Sequence, residues 1–166
     1  MITGCGLGAH APASTSGAGS AAGSIATSPA ERALAAKACG LITRAEASSA
    51  LKQRITRQVV GRSTFGAGVA CAFYAPDVPP SADPNLAQPD SVRITVATGP
   101  DAVRTFDDYR AKVHPEPIPG LGDRAFYDGS ASVSVLKGST YVRIMVGVAN
   151  NLTPEKILAF EAVPRM

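Results

Sequence analysis

The chain has 166 residues, and its 16 lysines and arginines against 13 aspartates and glutamates give a net charge of only +3. This charge is too small for the basic surface of a nucleic-acid-binding protein, and no apolar run is long enough to span a bilayer. A chain of this length suffices for one domain with a real core.

The first residues carry a motif typical of lipoproteins. Ile2-Thr3-Gly4-Cys5 resembles the lipobox that a lipoprotein signal peptidase cuts and a diacylglycerol transferase modifies. We therefore expect Cys5 to become the mature N-terminus and to attach the chain to a membrane through a palmitate-type lipid. The basic and apolar segments that normally precede a lipobox are missing, so either the true start lies upstream of Met1 or the chain was trimmed. The alternative is a tail with an incidental cysteine.

The composition divides the chain after this motif, which occupies residues 1–5. Residues 6–28 contain no aspartate, glutamate, lysine or arginine and consist almost wholly of glycine, alanine, serine, threonine and proline. Such a segment cannot bury enough apolar surface to fold, so we expect a disordered tether. The remaining residues, 29–166, are predicted to form a single α+β domain.

Two cysteines remain when Cys5 is set aside. Cys39 and Cys71 form an even pair in a chain that we expect to be exported to an oxidising compartment, which favours a disulfide. The alternatives are two buried free thiols or a metal site. His114 is the only histidine outside the tether, and two cysteines far apart in the chain with this one histidine are a poor ligand set for zinc. No metal is therefore predicted.

Helix signals come first in the predicted domain. Ser28 and Thr43 each stand three residues before a glutamate, the spacing of a capping box. The first box opens an alanine-rich helix that runs toward Cys39. The second opens a helix over about 44–53, in which we expect three apolar side chains to be buried: Ala47, Ala50 and Leu51.

Strands and a third helix follow. Residues 59–60 and 69–74 favour two strands joined by a glycine-rich turn, and the prolines of 77–89 predict an irregular loop. Alternation over 92–96 predicts a strand with one buried and one wet face. Pro100 opens an amphipathic helix whose apolar side chains share a face: Val103, Phe106, Tyr109 and Val113.

The last part of the domain is predicted to be an antiparallel meander and a helix. Its strands cover 124–127, 132–136 and 141–148, separated by Asp-Gly and Lys-Gly turns. Thr153 is expected to cap a final helix carrying Ile157, Leu158 and Phe160. The whole order predicts an α+β fold, an antiparallel sheet flanked by helices.

Three segments of the domain resemble one protein family. They are Cys39-Gly40-Leu41-Ile42-Thr43, Cys71-Ala72-Phe73-Tyr74 and Pro119-Gly120-Leu121-Gly122-Asp123-Arg124-Ala125-Phe126-Tyr127. Together they resemble the small secreted lipoproteins of unknown function found in actinobacteria, with Ile42 in place of the usual leucine. The resemblance implies a bridged cysteine pair and a lipid-anchored extracytoplasmic domain similar to the Mog1/PsbP kind. It implies no established reaction.

Two clusters of the domain admit a functional and a structural interpretation. Gly120-Leu121-Gly122-Asp123 suggests a nucleotide-binding loop, but prolines precede it and a strand follows, which favours a tight turn. His114 with Asp107, Asp108 and Glu116 suggests a general base or a metal cluster. Adjacent aspartates diverge by about 100° on a helix, so a solvated helix end is favoured.

The one local excess of charge is basic, and its members are Arg44, Lys52, Arg54, Arg57 and Arg62. Two interpretations are open. The residues form an interaction surface, above all through Arg54, Arg57 and Arg62, that attracts anionic headgroups or an acidic partner. Alternatively, they form a solvated face.

No nucleophile motif or carboxylate pair indicates catalysis, so we expect a binding domain without cofactor that recognises an envelope protein or a small apolar ligand. The alternatives are an envelope enzyme with a cleft formed by Asp101, Asp107, His114 and Asp123, and a purely structural spacer.

Overall fold

The structure is a computed structural model that describes residues 28–66, 68–147 and 150–166. The lipobox with Cys5 and nearly all of the expected tether lie outside the described residues. The lipid anchor therefore stays a prediction.

The domain is built on a seven-stranded sheet in the order β1-β2-β3-β7-β6-β5-β4. All neighbouring strands are antiparallel, and their bounds are β1 Arg57–Arg62, β2 Gly68–Tyr74, β3 Ser91–Thr98, β4 Glu116–Pro117, β5 Arg124–Tyr127, β6 Val133–Lys137 and β7 Thr140–Val146. The helices are α1 Pro29–Gly40, α2 Arg44–Leu51, α3 Pro100–Arg110 and α4 Leu152–Ala162, followed by a 3₁₀ turn, Val163–Arg165. The predicted α+β class, with a helix-flanked antiparallel sheet, is confirmed.

Both predicted capping boxes form. The Ser28 hydroxyl accepts from the Glu31 N–H at 3.1 Å, and the Thr43 hydroxyl accepts from the Glu46 N–H at 3.2 Å. Helix α2 ends at Leu51, two residues earlier than predicted, because Lys52 adopts a left-handed conformation with φ 56°. Its Ala47 is fully buried, whereas Ala50 and Leu51 are only half-buried.

The larger core lies on the sheet face that α1, α2 and α4 cover. Alternate residues of the central strands β2, β3 and β7 point into it, among them Cys71, Ile94 and Ile144. Cys71 is joined to Cys39 of α1 by the predicted disulfide, with a Cα–Cα distance of 5.4 Å. The bridge therefore fixes the first helix to the sheet.

The opposite face of the sheet is also covered, which corrects the prediction of a wet face on β3. Helix α3 packs Phe106 over one half of this face, and the proline-rich segment 76–90 packs Val78 over the other half. As a result Thr95 is only 7% exposed, and Arg93 is half-buried and donates to the Asn85 carbonyl of that segment.

The start of α4 differs from the prediction. Thr153 lies inside the helix rather than capping it, and Asn151, the residue before the first helical residue Leu152, takes the N-cap position. The Asn151 side chain donates instead to the Val146 carbonyl at 2.6 Å, so no side chain caps the helix. Of the apolar residues that the prediction places on this helix, Leu158 is buried, while Ile157 and Phe160 are 57% and 49% exposed.

Candidate functional site

The residues proposed for an enzyme cleft have separate structural surroundings. Asp107 pairs with Arg124 on the surface, with 2.6 Å between Oδ1 and Nη1. Asp123 accepts from the Gly138 N–H at 2.6 Å, and His114 is exposed beyond α3. Within the described ranges, no group of three or more histidines, cysteines or acidic residues is arranged to hold a metal.

The glycine segment before β5 is a tight turn, as predicted. Gly120 and Gly122 have φ 75° and 62°, and the Asp123 N–H donates to the Leu136 carbonyl at 2.8 Å. A Cβ atom on Gly122 would lie 2.7 Å from that carbonyl oxygen. The turn therefore fastens the chain to the β6–β7 hairpin.

The basic residues of the predicted interaction surface are dispersed. Arg57 lies with its guanidinium carbon 4.7 Å from the centre of the Tyr74 ring and donates to the Pro79 carbonyl at 2.8 Å. Arg62 pairs with Glu31 at 2.6 Å. Arg54 is exposed just beyond α2.

A buried polar network on the α3 side was not predicted from the sequence. Asp128 accepts hydrogen bonds from the Tyr109 hydroxyl at 2.6 Å, from the Ser132 hydroxyl, and from the backbone N–H groups of Ser130, Ala131 and Ser132. Arg143 adds an ion pair at 3.4 Å, and its guanidinium carbon lies 4.5 Å from the centre of the Tyr109 ring.

This network is electrostatically satisfied. Burial alone would raise the pKa of Asp128, but the hydrogen bonds from Ser132, Tyr109 and the backbone hold that pKa well below its usual range. A carboxylate that is charged and fully bonded at neutral pH is not poised to exchange protons. The network therefore serves to hold α3 against the sheet. The Asp-Gly pair at 128 and 129 indicated only a turn, and the serines that follow were the available signal.

A second buried carboxyl is less well satisfied. Glu155 of α4 is completely buried, and its Oε1 accepts from the Val146 N–H at 3.2 Å. Its Oε2 has no hydrogen-bond partner among the described residues. Burial is the main cause that raises the pKa of Glu155 to about 7, and the nearby Asp128 carboxylate adds to the effect.

Among the described residues, a groove between α2 and α4 has the size of a ligand site. It has a volume of about 760 Å³, within the range of roughly 300–1,000 Å³ typical of ligand sites. Its apolar members include Ala50, Leu51, Pro154, Ile157 and Leu158. Sequence patterns did not reveal this groove, because it depends on two helices that are distant in the chain lying side by side.

The two ends of the groove differ in charge. At one end, Arg165 binds both carboxylate oxygens of Glu46 at 2.7 and 2.9 Å and lies 3.9 Å from Glu161. These contacts with Arg165 are the main cause that lowers the pKa of Glu46 to about 2. The other end contains Lys52 and Asn151. Because Arg165 follows α4 and Glu46 lies in the first turn of α2, the two helices run antiparallel along the groove.

No family model and no curated protein matches the chain. A solved structure with some similarity is that of a GTP binding regulator from Thermotoga maritima, which is 10% identical, with a TM-score of 0.42 over 75% of this chain and 87% of that one. This similarity is too low to support an argument about this chain. Within the described residues, none of the helices has the length and apolarity that a membrane crossing requires.

Proposed function

We propose that this chain is a lipid-anchored lipoprotein of the cell envelope whose α+β domain is a non-catalytic binding module. The groove between α2 and α4 is its binding site. The observation that carries the binding role is the groove itself, where Ile157 remains 57% exposed beside the buried Leu158. An exposed apolar side chain next to a concave apolar surface is typical of a site that a partner covers.

The envelope location is supported by the cysteines. The disulfide between Cys39 and Cys71 is favoured in an oxidising compartment outside the cytoplasm. The lipobox that ends at Cys5 and the tether-like composition of 6–28 supply the means of attachment. In contrast, the contacts of Asp107 and Asp123 are structural and do not favour the alternative of an envelope enzyme.

The anchor is tested by mass spectrometry of the protein extracted from host membranes. We expect a diacylglyceryl group on Cys5, and we expect a Cys5→Ser variant to be released into the soluble fraction. Unmodified Cys5 in a soluble native protein would refute the anchor.

The groove is tested by photo-crosslinking in intact cells. A photoreactive amino acid at position 157 should form an adduct with a ligand or partner, while the same amino acid at position 86 should not. Leu86 is a matched control because it is 60% exposed and lies in the segment that covers the other face of the sheet. Equal labelling from both positions would argue against the groove as the binding site.

A further inference from the structure

We propose that the groove between α2 and α4 binds a free, single-chain anionic amphiphile, such as a long-chain carboxylate. The apolar chain lies along the groove, and the anionic head lies at Lys52. This inference rests on the proposed binding role of the groove and names the chemical class of its ligand.

The shape of the groove fits one apolar chain. Its walls are the lengths of two antiparallel helices, and the eight residues of α2 alone span about 12 Å at 1.5 Å per residue. Leu158 lies at the buried side, and Leu51 and Ile157 are at least partly exposed. A largely apolar groove of this length matches the chain of an amphiphile.

The head group is assigned from what adjoins the groove at its Lys52 end. A polar depression of about 450 Å³ shares Ser49 and Lys52 with the groove and is completed by Ser48, Gln53 and Arg54. The Gln53 amide of this depression donates to the Asp90 carboxylate at 2.6 Å, so this acidic side chain is already hydrogen-bonded. No ion pair of Lys52 or Arg54 occurs within the part of the chain that the structure describes. An apolar channel that opens into a basic depression is complementary to an anionic head with an apolar tail.

The opposite end of the groove sets the orientation. Glu46 and Glu161 lie there, and Glu46 is already paired with Arg165 through both oxygens. An anionic head at that end would meet two carboxylates and an Arg165 guanidinium that is already paired with them, whereas at the other end it meets Lys52. The first turn of α4, which has no side-chain cap, also lies at the Lys52 end, and the positive end of the helix dipole there favours negative charge.

The test is a binding titration of the full-length chain with dodecanoate below its micelle concentration, followed by calorimetry. Dodecanol and dodecylammonium, which have the same chain length, serve as neutral and cationic comparisons. We expect dodecanoate to bind about tenfold more tightly than dodecanol, the change expected from one charge-assisted contact. Dodecylammonium should bind more weakly than either.

Two surface variants locate the site. Lys52→Glu should remove the preference for dodecanoate over dodecanol, and Ile157→Glu should weaken binding of both by about tenfold or more. Lys112→Glu and Leu86→Glu, which alter exposed residues outside the groove, should bind like the unaltered chain. Because Lys52 and Ile157 are exposed, unchanged thermal unfolding should show that the variants are folded.

Several results would overturn the proposal. Equal affinity for dodecanoate and dodecanol would show that the groove does not recognise an anionic head group. Binding to anionic vesicles but not to monomeric dodecanoate would make the groove a membrane contact. Self-association that Ile157→Glu abolishes, without dodecanoate binding, would make it an interface between copies. If position 157 crosslinks a protein while dodecanoate fails to bind, the binding role survives and the ligand class is wrong.

Discussion

Glu155 is an acidic side chain held in the core with only one of its oxygens hydrogen-bonded within the described residues. Its ordinary pKa is 4.5, and burial raises the pKa in the folded protein to about 7. The unfolded chain therefore ionises this carboxyl at a lower pH than the folded protein does. Stability falls as the pH rises from the ordinary pKa to the raised one, and above that pH the full cost remains.

A Glu155→Gln substitution should remove this pH dependence, because glutamine stays neutral at every pH. Relative to the unaltered chain, the variant should gain about 2–3 kcal/mol of unfolding free energy between pH 4.5 and pH 8. Urea unfolding at both pH values measures this difference. Glu161→Gln, on the exposed side of the same helix, is the control and should leave the pH dependence unchanged. Parallel pH profiles for Glu155→Gln and the unaltered chain would show that Glu155 ionises normally in the fold.

Asp128 is the opposite case, a buried carboxylate whose charged form the fold stabilises. Asp128→Ala should cost about 3–5 kcal/mol of unfolding free energy at pH 7, because it leaves Arg143 without its carboxylate and three backbone N–H groups without their acceptor. The pKa of Asp128 is lowered in the fold, so its contribution is complete above the ordinary aspartate pKa of 3.8 and is lost as the pH falls toward the lowered value. The difference between variant and unaltered chain should therefore shrink in strong acid.

The control for this substitution is Asp107→Ala, which removes a surface ion pair with Arg124 and should cost less than about 1 kcal/mol. Chemical denaturation of both variants gives the comparison. Similar losses for the two aspartates would contradict the structural role of the buried network.

At the scale of the elements, the disulfide ties α1 to the centre of the sheet. A Cys39→Ser, Cys71→Ser double variant should lose about 3–4 kcal/mol, the chain-entropy value for a closed loop with a sequence separation of 32 residues. Unfolding with and without a reducing agent measures the loss, and only the unaltered chain should respond to reduction. A reductant effect on the double variant would mean that another bond is involved.

The sequence predicted those elements whose signals are local. Ser28 and Thr43 give caps that depend on side chains three residues away, and the predicted Lys-Gly turn joins β6 to β7 with Gly138 at φ 56°. The prediction of a wet face on β3 was wrong because α3 and residues 76–90 cover that face. The alternation within β3 gives no information about which distant segments pack on the strand. Thr153 does not cap α4 because the helix begins one residue earlier, at Leu152, and Asn151 occupies the N-cap position. The Asn151 side chain donates to the carbonyl of Val146, a residue of β7.

The groove and the buried carboxyls were beyond sequence analysis for the same reason. Glu155 follows a threonine and a proline, a pattern that is typical of a helix start and gives no sign of burial. Its environment arises only when α4 packs against β7. Likewise Lys52 belonged to a local basic excess in the sequence, and only the packing of α2 against α4 places it at the end of an apolar groove.

At the scale of the whole molecule, the pairing of β3 with β7 joins the two halves of the chain. Ile94 lies opposite Ile144 in this pairing, and both are completely buried. The helices on one face and α3 with 76–90 on the other then enclose the central strands on both sides. The described core clusters contain apolar residues from both halves of the chain, so we expect the domain to unfold as a single cooperative unit.

This enclosure predicts that residues 28–166 fold without the segment before them. A chain that begins at Ser28 keeps the first capping box, and the composition of 6–27 offers little apolar surface for packing. Its melting temperature should lie within about 2 °C of that of the full chain carrying Cys5→Ser. A chain that begins at Leu41 is the control: it loses α1 and Cys39 and should melt at a clearly lower temperature. A large drop for the chain that begins at Ser28 would show that the N-terminal segment packs on the domain and is not a tether.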